Sequence, residues 1–71
     1  MYLNLITEMN RIGVTNEQIA NELDIHRNSV SNKISGSSPL LLEEALSIRD
    51  KFFPYADFQY LFKKIREKRA G

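Results

Sequence analysis

Large apolar residues return along this chain every three or four positions, and no stretch alternates with a period of two. Tyr2, Leu5, Ile6, Met9 and Ile12 fall on one helical spacing, which predicts a helix over 2–12 that Gly13 stops. A complete start signal follows. Thr15 is placed to cap, Gln18 stands three residues on as its reciprocal partner, and Val14 and Ile19 can staple across the turn. A second helix of about 16–23 is therefore expected on Ile19, Ala20 and Leu23. Only Asp24 and Ile25 separate it from the next segment.

That segment, IHRNSVSNKISG (25–36), is unusually polar. Ile25 and Val30 repeat the staple spacing, His26 stands where an N-cap belongs, and Gly36 suits a left-handed stop. Val30 and Ile34 lie four apart on one face. Asn28, Asn32 and Ser35 point away from it, flanked by Ser29 and Ser31. A loop would show no such phasing, so the pattern predicts a helix over about 27–35 with a wet face. Ser37-Ser38-Pro39 makes the next break. Leu42, Ala45, Leu46, Ile48 and Phe52 predict a fourth helix over about 41–53, closed by Pro54. Asp57 can cap a fifth, with Phe58, Leu61, Phe62 and Ile65 spaced for burial. The expected class is all-α, five short helices in a single domain of 71 residues, with a frayed basic tail at 63–71.

Composition narrows this further. A chain of this length has a marginal core, and without cysteine it has no disulfide or thiolate metal site to reinforce it. No apolar run reaches membrane-span length, and the basic-then-apolar layout of a signal peptide is absent, so the cytoplasm is the expected location. An enzyme is not expected: there is one histidine, no glycine-rich phosphate loop, and no metal-spaced or cofactor-binding cluster. Net charge is only +1, but its distribution is uneven. Glu17, Glu22 and Asp24 precede Arg27 and Lys33, and Lys63, Lys64, Arg66, Lys68 and Arg69 crowd the end. An anionic partner fits the two basic zones.

Two short helices joined by a tight turn, the first capped and the second polar outside, have the layout of a helix-turn-helix. The stretch VTNEQIANELDIHRNSVSNKISG, residues 14–36, resembles the phage repressor and Cro-type helix-turn-helix family of temperate phages and prophages of Gram-positive bacteria. Ala20 sits where the helices cross, Ile25 in the turn, Val30 in the second helix, and Ser35-Gly36 closes the unit. The likeness continues through SPLLLEEALSIRDKFFPYADFQYLF and covers roughly residues 3–62. It implies a lambda-repressor-like domain in the cytoplasm of a bacterial host, binding double-stranded operator DNA as a homodimer with 27–35 in the major groove. Arg27, Asn28, Ser31 and Asn32 would then read bases, and Asn16, Lys33, Ser35 and Ser37 would meet the backbone. The alternative the resemblance carries is a modulator or antirepressor that grips a phage repressor protein with the same face. Three departures from the family stand out. Asp24 replaces the usual turn glycine, His26 replaces a Ser or Thr cap, and Lys33 occupies a commonly apolar position, expected here to have moved to the surface.

Overall fold

A computed structural model describes residues 1–64, which form five α-helices and no strand. They are α1 (Leu3–Ile12), α2 (Asn16–Leu23), α3 (Arg27–Ser35), α4 (Leu42–Phe52) and α5 (Phe58–Leu61). The all-α expectation holds. The tail from Ile65 onward lies outside the described residues, and with it the expected burial of Ile65.

Local chemistry accounts for the boundaries. Gly13 ends α1 at φ 81°, and its N–H donates to the Met9 carbonyl at 2.8 Å. Thr15 opens α2 with a full capping box. Its hydroxyl accepts the Gln18 N–H at 3.2 Å, and the Gln18 side chain accepts the Thr15 N–H at 2.9 Å. Asp24 ends α2 in the left-handed region at φ 59°, ψ 46°, the place held by glycine in most such turns. The Ile25 N–H then reaches back to the Ala20 carbonyl at 3.0 Å, completing a tight reversal.

One core unites the helices. Leu5, Ile19, Ile48, Phe53 and Leu61 are fully buried, joined by Tyr2, Met9, Ala20, Val30 and Ile34. α2 packs chiefly on α3 and also on α4, while α5 rests on α1 and α4. Polar bonds tie the last element down: the Asn4 amide donates to the Tyr60 carbonyl at 2.9 Å, and the Tyr60 hydroxyl to Glu8 at 3.3 Å. Arg11 bonds Glu8 at 2.7 Å and Tyr55 Oη at 3.0 Å, with its guanidinium 5.6 Å from the Tyr55 ring centre.

Some burial differs from expectation. Ile12, the last residue of α1, is exposed; so are Leu42 and Leu46, because α4 turns Ala45 and Ile48 inward instead, with Phe52 half-buried. The Leu42–Leu46 stripe is thereby left in solvent. Of the aromatic residues, Phe53 is buried and Phe52, Phe58 and Phe62 are half-buried, but Tyr55 and Tyr60 are largely outside. α5 is a single turn. Asp57 caps it as expected, accepting the Tyr60 N–H at 2.9 Å.

Candidate functional site on the α2–α3 face

The polar stretch that opens at His26 is a helix of nine residues whose anchors are Val30, 2% exposed, and Ile34, 6% exposed. Its start is fixed by an uncommon cap. The imidazole Nδ1 of His26 accepts the Asn28 N–H at 3.0 Å, doing what a Ser or Thr hydroxyl does elsewhere. In the neutral ring this places the proton on Nε2. Gly36 closes the helix at φ 98°, and the Asn32 carbonyl accepts from the N–H groups of Gly36, Ser37 and Ser38.

Away from those anchors Asn28, Ser31, Asn32 and Ser35 are exposed, and Arg27 is exposed with them as the first residue of the helix. They form one continuous stripe along α3. All four expected base-reading residues lie on it. Of the four expected backbone-contacting residues, Ser35 continues the stripe, and Ser37 follows just past the helix. Ser35 Oγ lies 3.3 Å from Ser37 Oγ and donates to the Asn32 carbonyl at 3.1 Å.

Asn16 begins α2 across a groove of about 470 Å³. Met1, Ile6, Met9, Val14 and Ile34 supply its apolar walls, and Asn10, Thr15, Asn16, Ser31 and Ser35 its polar rim. None of the lining side chains carries a charge. The groove thus brings Asn16, Ser31 and Ser35 together, while Arg27 stands apart. Arg27 borders a second, shallower depression of about 220 Å³ with Glu17, Asn21 and His26.

No family model matches the chain, and no curated protein or solved structure is significantly similar to it.

Lys33 departs most from its expected place. Its side chain is only 16% exposed, and its ammonium lies 3.1 Å from Glu44 Oε1 and 3.0 Å from the Pro39 carbonyl oxygen. The position has stayed an inward one, filled by a cation that finds its partners within the chain. Glu44 is correspondingly half-buried, while its neighbour Glu43 is exposed. Glu44 Oε1 also accepts the Leu41 N–H at 3.0 Å, one half of a capping box whose other half Leu41 has no atom to make. The spacing of Leu41 and Glu44 carried that signal, but no local pattern links it to Lys33. Within residues 14–38 the α2–α3 face therefore offers Arg27 as its one exposed basic side chain, against exposed Glu17, Glu22 and Asp24.

Among the described residues no group of three or more His, Cys, Asp or Glu side chains is arranged to hold a metal ion, and no helix is long and apolar enough to cross a membrane.

Proposed function

We propose that this chain is a sequence-specific DNA-binding transcriptional regulator of the phage repressor and Cro type, with α2 and α3 acting as its helix-turn-helix. The observation that carries the reading is the exposed stripe of Arg27, Asn28, Ser31, Asn32 and Ser35 on a helix anchored by only two buried side chains. Asn and Ser are poor helix formers, and placing so many on one short helix has a stability cost that a bare solvent face does not require. Laid in a major groove, Arg27 can take guanine O6 and N7 in two bonds, and Asn28 or Asn32 adenine N6 and N7. Ser31 can meet a base edge or a thymine methyl group. Asn16, Ser35 and Ser37 bound the stripe where strand backbones would pass. Two copies on a two-fold site would supply the discrimination that one small module lacks.

Selection from a random duplex pool at low salt tests this. Enrichment of a defined, two-fold-related sequence is expected; absence of any duplex binding refutes the proposal. A second reading is favoured by a groove with no charged side chain and by the acidic surplus of residues 14–38: a modulator that holds a phage repressor protein through this same face. It predicts salt-tolerant co-elution with that repressor, weakened by Arg27→Ala, and no retention of duplex.

A further inference from the structure

We infer that Lys33 is a positioning residue, a clasp that fixes the loop after α3 against the start of α4, and not a contact to an anionic partner. The inference rests on the DNA reading only for its functional consequence. Its physical basis is in the free chain. Lys33 Nζ bridges Glu44 Oε1 at 3.1 Å and the Pro39 carbonyl at 3.0 Å, so one ammonium joins α3, the loop and α4. Both side chains of the ion pair are largely shielded, 16% and 18% exposed, and screening by salt is weak at such a site. Glu44 is itself held by the Leu41 N–H at 3.0 Å, which stops the carboxylate from following Lys33 outward.

Reaching a phosphate would mean giving up both partners and leaving Glu44 poorly solvated and unpaired. The loop that the clasp fixes carries Ser37, whose hydroxyl lies 3.3 Å from that of Ser35 at the end of the exposed stripe. Holding Pro39 therefore sets where Ser37 stands. Lys33 acts on binding through that loop.

The test compares wild type with Lys33→Met, Glu44→Gln and the double variant. Methionine keeps the length and apolar stem of the side chain, and glutamine keeps an oxygen for the Leu41 N–H. In the free protein, the melting-temperature losses of the two single variants should not add in the double variant, and amides of 36–41 should exchange faster in each. Additive losses with unchanged exchange would overturn the clasp, whether or not DNA binds. On duplex, Lys33→Met should weaken binding severalfold at fixed salt while leaving the slope of log K against log salt unchanged. A phosphate contact would instead cut that slope by about 0.9 per protomer. A reduced slope overturns the inference. Failure of the wild type to bind any duplex overturns the DNA reading, and the free-protein coupling then decides the clasp alone.

Discussion

Asp24 is the described residue other than glycine that sits at positive φ, at 59°, and its conformation determines how α3 leaves α2. An ordinary L-residue pays about 1–2 kcal/mol in the left-handed region, and Asp pays toward the low end of that range. Replacing Asp24 with Gly removes the strain but adds about 0.4–1 kcal/mol of unfolded-chain entropy. The net is a stabilisation of about 0–1 kcal/mol. Replacing it with Ala keeps the strain in full and loses the tolerance of a short polar side chain, so Asp24→Ala should fall about 1 kcal/mol below Asp24→Gly. In a domain of this size that difference corresponds to about 4–8 °C in melting temperature, easily read by circular dichroism. Asp24→Asn is the control for charge, because it keeps a side chain suited to this backbone and removes only the carboxylate. Expected order is Gly at or above Asn, Asn at or above wild type, and Ala last. A variant with Ala as stable as the one with Gly would refute the claim that backbone strain governs this turn.

Further outcomes follow from the packing and the site. Val30→Ala, at a position 2% exposed, should cost about 1–4 kcal/mol in thermal melts, whereas Leu42→Ala, at one 66% exposed, should shift stability by less than about 0.5 kcal/mol. His26→Ala removes the acceptor for the Asn28 N–H and should cost about 0.5–2 kcal/mol, with His26→Ser recovering most of it; equal melts for all three would dismiss the cap. Arg27→Ala and Asn32→Ala should leave the fold intact and each cost about 1–3 kcal/mol on the selected duplex, relaxing preference at one position. Packing around the Tyr60 hydroxyl, then its bond to Glu8 and the Glu8 charge, raise this phenol above its ordinary value. Stability from that group is complete below the ordinary phenol value and lost as pH rises through the raised one, so Tyr60→Phe should flatten the alkaline limb of a stability–pH curve.

The elements that were legible in the sequence are those whose signals are local. Thr15 with Gln18, His26 before a polar run, and Gly13 and Gly36 as stops fix α1 through α3 within a residue or so, because caps act over one turn. α4 was legible as a helix but not in its orientation. Its sequence carries two apolar stripes, one through Leu42 and Leu46 and one through Ala45, Ile48 and Phe52, and periodicity alone does not say which meets the core. In the folded chain it is the stripe of Ala45, Ile48 and half-buried Phe52 that turns inward. The aromatic residues of the last third were harder still. Tyr55 and Tyr60 look like core residues by composition, yet Arg11 and Glu8 on α1 hold their hydroxyls at the surface.

At the candidate site, the exposure of Asn28, Ser31, Asn32 and Ser35 was legible because Val30 and Ile34 fix the rotation of α3, whereas Arg27 lies on the anchors' side by rotation and is exposed in the first turn. The electrostatics were not, since they depend on a contact between helices. Counting Lys33 as a surface cation doubles the positive charge of residues 14–38, and its pairing with Glu44 removes that charge from the face. The distinction changes the physics expected of any partner. A face rich in exposed cations binds nucleic acid broadly and gains little from sequence. A face with Arg27 and a row of neutral amides and hydroxyls gains little from charge, and each group left without a mate in a closed interface costs about 1–3 kcal/mol. Binding here must therefore depend on fit at several positions at once. On this argument the proposed regulator should show weak non-specific affinity and a large ratio between its selected site and unrelated duplex, because the groups that supply its affinity are the same ones that read the partner.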